Sequence, residues 1–134
     1  KIAAGEGLPL QQSDIEFRGH AIEARINAED PERFIPSPGT VERYHPPGGS
    51  GVRVDSHMFQ GAKVPPHYDS LVAKLIVYGV DREACRARMR RALREYVIDG
   101  IATNLPLHAR IIDSQDFIDS AIDVVWLERW LNSR

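Results

Sequence analysis

The sequence contains a single cysteine, Cys85, and lacks any apolar run near the roughly 20 residues that a bilayer-spanning helix requires. One cysteine excludes an internal disulfide and fits a reducing compartment. The formal net charge of −2 provides no general attraction to nucleic acids or to anionic membranes. With 43% hydrophobic and 27% charged residues in a chain of 134, the composition predicts one globular domain.

The residue patterns of common catalytic and metal centres are also missing. Cys85 has no CxxC partner, and the histidines lack the spacing of zinc ligands. No serine stands in a GxSxG motif. The glycine-rich segment 46–51 is not followed by a lysine with a serine or threonine, so it is not predicted to cradle a phosphate. We therefore expect no metal site within this chain.

What the sequence does have is an alternating stretch at residues 18–31, RGHAIEARINAEDP. Counting in twos gives an apolar face made of His20, Ile22, Ala24, Ile26 and Ala28. The opposite face is made of Ala21, Glu23, Arg25, Asn27 and Glu29. This period of two residues predicts one long, half-buried strand, in which His20 is expected to be a core histidine.

The polar face of this strand holds Arg25 two residues from Glu23, about 7 Å along the chain. Arginine stays charged at any working pH, and its planar guanidinium suits a carboxylate, a phosphate or a developing oxyanion. Two interpretations of this face remain open. Either Arg25 reaches into a functional site, or the face is a solvated surface with weak ion pairs.

The remaining segments predict an α+β fold. Strands at 40–45 and 52–57 are expected to pair as a hairpin around the turn at 46–51. The apolar run 71–78 predicts a central strand, and Asp81 is suited to cap a helix that begins at Arg82. Further helices are expected to begin near Thr103 and after Asp123. We therefore predict a bent, mainly antiparallel sheet, similar to a barrel-sandwich hybrid, with C-terminal helices packed on it.

Two more segments combine with residues 18–31 to carry a family resemblance. They are FIPSPGTVERYHPPGGSGVRVDSH at 34–57 and VPPHYDSLVAKLIVYG at 64–79. With these motifs the chain closely resembles the C-terminal domain of biotin carboxylase. That protein is the ATP-grasp subunit or domain of biotin-dependent carboxylases such as acetyl-CoA carboxylase. The resemblance runs from the first residues to about Asp116.

The resemblance implies that residues 1–134 form this C-terminal domain, and that the N-terminal and ATP-grasp domains are absent from the sequence. The start of the chain agrees, because Lys1 to Glu6 has the pattern of the last turn of a helix. There is no biotin-attachment motif with a lysine between two methionines, so the chain is not the carrier domain.

The implied activity is that of an ATP-dependent carbon–nitrogen ligase. ATP phosphorylates bicarbonate, and the carboxyl group then passes to biotin on a biotin carboxyl carrier protein. This is the first half-reaction of an acyl-CoA carboxylase, which we expect to be the acetyl-CoA carboxylase of fatty acid biosynthesis. In the family, ATP and Mg²⁺ bind to the ATP-grasp domain. The fragment alone is therefore expected to bind no cofactor and to be inactive.

Site residues follow from the matched motifs. Arg25 matches the family arginine that reaches the active site near bicarbonate and biotin, which makes it the expected catalytic and substrate-binding residue. Glu23 or Asp69 is expected to orient it, although an aspartate ahead of a strand is also suited to capping nearby backbone amides. Arg53 matches an arginine of a subunit contact, and a plain surface arginine is the alternative.

The implied partners are the remainder of biotin carboxylase, the carrier protein, carboxyltransferase subunits and a second copy of the parent, with no nucleic acid or membrane. A cytoplasmic location is expected, or the mitochondrial matrix for a eukaryotic parent. Two alternatives stay open. The chain is a purely structural, dimer-forming module that closes the ATP-grasp core, or it is the same domain of a pyruvate, propionyl-CoA or methylcrotonyl-CoA carboxylase.

Overall fold

The structure is a computed structural model that describes residues 1–133. Two short 3-10 turns, at Ile2–Ala4 and Gln12–Asp14, precede the first strand. The strands are β1 (His20–Asn27), β2 (Gly39–Thr40), β3 (Arg43–His45), β4 (Val52–Ser56), β5 (Lys63–Val64), β6 (Leu71–Gly79) and β7 (Val97–Asp99). The helices are α1 (Arg82–Glu95), α2 (Leu105–Asp113), α3 (Gln115–Ile118) and α4 (Trp126–Asn132).

The central element is β6, which pairs antiparallel with β1 on one side and with β4 on the other. The apolar run of β6 predicted such a central strand, and the structure confirms it. Alternation along the paired strands brings Ala24, Ile26, Leu75 and Val77 to one face, where all four are buried. This face forms the floor of the hydrophobic core.

Helix α1 covers that floor. It begins where the sequence predicted, because the Asp81 carboxylate accepts a hydrogen bond of 2.7 Å from the backbone N–H of Ala84 and so caps the first turn. Its buried side chains recur at helical spacing and are Cys85, Met89, Ala92 and Leu93. Burial raises the pKa of the Cys85 thiol, so this cysteine is a packing residue in its neutral form.

The predicted hairpin between the strands at 40–45 and 52–57 is wrong. Strand β3 pairs with β7, which the sequence analysis did not predict, and β4 pairs with β6 instead. The turn at 46–51 therefore carries the chain from one sheet to another. Side chains hold β3 in its place: Arg43 donates to Asp99 at 2.6 Å, and the Tyr44 and Tyr96 hydroxyls lie 3.0 Å apart.

The α+β prediction is confirmed, with antiparallel pairing throughout the described strands. Within residues 1–133 the strands form one three-stranded and two two-stranded sheets, and no closed barrel. The long strand is shorter than predicted, since β1 ends at Asn27 after an irregularity in its register. His20 is exposed and not a core residue, because it lies at the very end of the strand. None of the described helices has the length and hydrophobicity to cross a membrane.

Close packing between β6 and the start of α1 requires a glycine at position 79. A Cβ atom there would lie 2.4 Å from the backbone nitrogen of Cys85 and 2.7 Å from its Cα. We expect Gly79→Ala to lower the free energy of unfolding by about 1–3 kcal/mol, because the helix must shift to make room.

Urea denaturation of Gly79→Ala and Gly48→Ala would check this. Like Gly79, Gly48 does not have a positive φ, and a Cβ atom added to it would meet no atom within 4 Å. Its replacement therefore controls for the loss of a glycine alone. Equal stabilities of the two variants would contradict the close approach that the structure shows.

Candidate active site on the outer sheet face

The face of the three-stranded sheet that points away from α1 carries a cluster of charges. We call it the outer sheet face and define it by Glu23, Arg25, Arg53, Asp55 and Lys74. Pairing across the strands places Arg25 opposite Lys74, and Lys74 opposite Asp55. Glu23 and Arg53 both pair with the same residue of β6. Directly opposed residues point to the same side of a sheet, so these five side chains share one surface.

Two of these charges neutralise each other. Arg53 donates from Nε and Nη2 to the two carboxylate oxygens of Asp55, at 2.8 Å and 2.9 Å. This bidentate contact holds the pKa of the Asp55 carboxyl below its usual range. The Lys74 ammonium is farther off, 4.0 Å from the same carboxylate. The Asp55 carboxylate therefore interacts mainly with the Arg53 guanidinium.

Arg25 is left as a cation without a side-chain partner. Its guanidinium is exposed, and within residues 1–133 it forms no hydrogen bond or ion pair. The nearest charge across the sheet is Lys74, which is also positive, and like charges at opposed positions repel each other. The arrangement favours an anion that lies between the two cations.

A shallow depression of about 230 Å³ adjoins Lys74 on β6. Asp55, Ser56 and His57 from the end of β4 form its other wall. Arg25 pairs with Lys74 across the strands but does not line this depression. The depression therefore has room for a small group beside Lys74.

The backbone of Arg25 is held from the other direction by α2. Its carbonyl oxygen accepts hydrogen bonds from Asn104 Nδ2 at 3.1 Å and from His108 Nε2 at 2.9 Å. The backbone N–H of Asn27 donates to Asn104 Oδ1 at 2.9 Å. A carbonyl can only accept, so the proton of His108 resides on Nε2. The sequence analysis did not identify either residue as part of the site, because each is about 80 positions from Arg25 in the sequence.

The expected orienting contacts of Arg25 are not formed within the described residues. Glu23 lies two residues along the same face, exposed and without a hydrogen bond to Arg25. Asp69 is exposed and accepts a hydrogen bond of 3.2 Å from the backbone N–H of Leu71. This is the capping role that the sequence left open as the alternative. The proposed roles of Glu23 and Asp69 in orienting the guanidinium stay predictions.

A polar cluster continues the strand beyond Arg25. Asn27 Nδ2 donates to Glu29 Oε1 at 3.2 Å, and the Ser70 hydroxyl donates to the same oxygen. The other side-chain atom of Asn27, its Oδ1, is buried without a hydrogen-bond partner among the described residues. By contrast, residues 1–133 contain no group of three His, Cys, Asp or Glu side chains arranged to hold a metal ion.

A family model described as "Biotin carboxylase C-terminal domain" matches residues 23–129, which include the outer sheet face and the α2 contacts. The chain belongs to this family. The resemblance inferred from the motifs is thereby confirmed, together with the identity of the domain.

Known relatives agree over nearly the whole chain. The biotin carboxylase of Pseudomonas aeruginosa is 53% identical over 131 residues, which cover 98% of this chain and 29% of that protein. A pyruvate carboxylase subunit of Methanothermobacter thermautotrophicus is 50% identical over 118 residues, covering 87% of this chain and 24% of that protein. The chain thus spans about a third or less of the curated relatives it matches.

A solved structure gives the same fold. It is the biotin carboxylase domain dimer of the Hydrogenobacter thermophilus 2-oxoglutarate carboxylase, in complex with MgADP, ADP and bicarbonate. The TM-score is 0.89 at 49% sequence identity, and the match covers 96% of this chain and 28% of that chain. The matched part of that protein therefore has the fold described here.

The His108 contact makes a prediction about pH. Burial lowers the pKa of His108 from its ordinary 6.5, against an opposing effect of the hydrogen bond to Arg25. On acidification the His108 imidazole of the unfolded chain therefore takes up a proton before that of the folded chain. The contribution of neutral His108 to the free energy of unfolding is complete above about pH 6.5 and is lost as the pH falls through the folded-state pKa of His108. We expect the free energy of unfolding to fall more on acidification in the original chain than in His108→Gln.

Urea denaturation of both proteins at about pH 7.5 and about pH 5 would measure the difference. Glutamine keeps a hydrogen-bond donor and does not titrate, so other ionising groups cancel in the comparison. Parallel pH dependence in the two proteins would show that His108 is not held in its neutral form.

Proposed function

We propose that this chain is the C-terminal domain of a biotin carboxylase and that it contributes one arginine to the carboxylation of biotin. The parent protein uses ATP and bicarbonate to carboxylate biotin on a biotin carboxyl carrier protein. The observation that carries the proposal is Arg25, a partnerless cation beside Lys74 in a chain of this family. Support comes from the solved relative that contains bicarbonate, MgADP and ADP.

The chemistry of the transfer suits a fixed guanidinium. When the ureido nitrogen of biotin loses its proton, negative charge accumulates on the ureido oxygen. A preorganised cation stabilises such charge most where it develops, and the planar fork of arginine binds an oxyanion through two parallel donors. The role is supported by the hydrogen bonds of Asn104 and His108 to the Arg25 carbonyl and by the pairing of Arg25 with β6, which hold its backbone while its side chain is free.

ATP and Mg²⁺ are bound elsewhere in the parent protein. This assignment is carried over from the family resemblance, which implies that both bind to the ATP-grasp domain. The chain therefore supplies substrate positioning and charge, and the ATP-grasp part of the parent supplies the phosphoryl chemistry. We propose that the chain by itself has no carboxylase activity.

The acyl-CoA that finally receives the carboxyl group is proposed to be acetyl-CoA. This choice rests on the family resemblance alone, because the 53% identity to the Pseudomonas biotin carboxylase and the 50% identity to a pyruvate carboxylase subunit differ little. Selection of the acceptor is therefore a property of the carboxyltransferase partner. A role in fatty acid biosynthesis and a cytoplasmic location belong to the same proposal.

Replacement of Arg25 tests the main proposal in a complete biotin carboxylase that carries this chain as its C-terminal domain. We expect Arg25→Ala to slow the carboxylation of free biotin by about 10²-fold or more, because the developing charge loses its counterion. Arg25→Lys is expected to recover only part of the rate, since lysine keeps the charge and loses the planar fork. The KM for ATP should change little in both variants.

The rate of biotin-dependent ATP cleavage provides the measurement. Arg94→Ala is a matched control, because Arg94 is an exposed arginine on α1 without a hydrogen bond to another described residue. Full carboxylase activity in Arg25→Ala would refute the role assigned to Arg25.

We further propose that the chain contributes to a dimer of the parent through Arg53. The observation that favours this is the solved relative, which is a biotin carboxylase domain dimer. Arg53 is exposed on β4, and its bidentate contact with Asp55 fixes the direction of its guanidinium. A surface arginine with no role in a contact is the simpler alternative.

Charge reversal distinguishes these two possibilities. We expect Arg53→Glu to shift the complete protein from dimer towards monomer, because a repulsive charge replaces a directed donor. Arg43→Glu is the matched control, since it also breaks an exposed Arg–Asp ion pair but lies in a different sheet. Sedimentation or light scattering gives the mass, and an unchanged dimer in Arg53→Glu would remove Arg53 from the contact.

A further inference from the structure

Strand β1 is an edge strand, with β6 on one side only. On its open edge, the carbonyl oxygen of Arg25 and the N–H of Asn27 point the same way, two residues apart. A neighbouring strand would bond both groups. Here the single side-chain amide of Asn104 takes that place: Oδ1 accepts from Asn27 at 2.9 Å and Nδ2 donates to Arg25 at 3.1 Å.

Two more contacts complete the attachment. The backbone N–H of Asn104 donates to the carbonyl of Asn27 at 3.2 Å. One helical turn further on, His108 Nε2 gives the Arg25 carbonyl its second hydrogen bond, at 2.9 Å. Asn104 is only 8% exposed, and it is one of just two buried polar residues in the described chain, the other being Thr103. Burying an amide is favourable only when its hydrogen bonds are made, and these are made to the strand.

The attachment lies where β1 is least constrained by its own sheet. The register between β1 and β6 shifts between Ile26 and Asn27, one residue beyond Arg25. At such an irregularity a ladder bond is lost and the strand bends more easily. Asn104 bonds to residues on both sides of the shift. It therefore ties together the two parts of the strand that the irregularity separates.

We propose that Asn104 and His108 are positioning residues for Arg25, an inference that rests on the proposed function of Arg25. They hold its peptide group so that the guanidinium projects from a fixed point on the outer sheet face. An arginine side chain is long, so a small rotation of its peptide moves the charged group by a larger distance. Misplacement of a reacting or stabilising group by about 1 Å is enough to cost about 10²-fold in rate.

A merely structural role is the alternative, in which the same hydrogen bonds only attach α2 to the sheet. The two roles differ in one respect. If Asn104 and His108 act through Arg25, their loss has no consequence for the rate once the guanidinium is gone. If they only stabilise the fold, their removal lowers the rate by the same factor with or without Arg25.

Two variants remove the contacts in different ways, again in a complete biotin carboxylase with this chain as its C-terminal domain. Asn104→Asp keeps the acceptor for Asn27 and removes the donor to Arg25. His108→Leu removes the other donor and places an apolar side chain beside a cavity of about 90 Å³ that Met89 and Leu93 line, so we expect the fold to tolerate it. His108→Gln keeps a donor and serves as the conservative control.

We expect Asn104→Asp and His108→Leu each to lower kcat for biotin carboxylation by about 10-fold, with the KM for ATP within about 2-fold of its original value. His108→Gln should retain most of the rate. In the Arg25→Ala background, neither substitution should reduce the residual rate further. This loss of effect is the signature of positioning, because a weakened fold would lower the rate in both backgrounds.

The outcomes separate the two proposals. An active Arg25→Ala variant overturns the function of Arg25 and this inference with it. An impaired Arg25→Ala variant combined with normal kcat in Asn104→Asp and His108→Leu leaves Arg25 in place and overturns the inference. The inference is also overturned if each substitution lowers kcat by the same factor in both backgrounds, or if His108→Gln does not recover kcat.

Discussion

The antiparallel ladder between β1 and β6 is the constraint on which the rest of the molecule depends. Its register runs from His20 opposite Gly79 to Asn27 opposite Leu71. Because side chains alternate, this register decides at once which residues face α1 and which face outward. A slip by one residue would bury Glu23 and Arg25 under the helix and expose Ile26. The hydrophobic core and the candidate site are thus specified by the same set of backbone hydrogen bonds.

The two faces of that ladder are secured by elements far apart in the sequence. Helix α1 follows β6 directly and covers the apolar face, with Gly79 allowing the close approach. Helix α2 arrives later and attaches to the open edge of β1 through Asn104. The position of Arg25 therefore depends on residues about 80 positions away as well as on its own strand. Its guanidinium stays free because these contacts use only the backbone.

Local patterns predicted the parts of this structure that depend on local chemistry. The alternation around Arg25, the apolar run of β6 and the cap at Asp81 each follow from neighbouring residues, and each is found. The pairing of β3 with β7 does not follow from local chemistry, since strand pairing depends on residues brought together by the intervening helix. For the same reason Asn104 looked like an ordinary helix start. The role of Arg25 came from family resemblance and not from the pattern itself.

The outer sheet face joins two proposed roles on one surface. Arg25 and Arg53 lie two strands apart and two residues out of line, which corresponds to about 12 Å between their Cα atoms. A row of paired charges connects the two arginines. Arg53 binds the Asp55 carboxylate through two hydrogen bonds, and the Lys74 ammonium lies 4.0 Å from the same carboxylate. Lys74 in turn stands opposite Arg25, so the proposed subunit contact and the proposed active-site residue draw on one continuous charged surface whose order is set by the strand register.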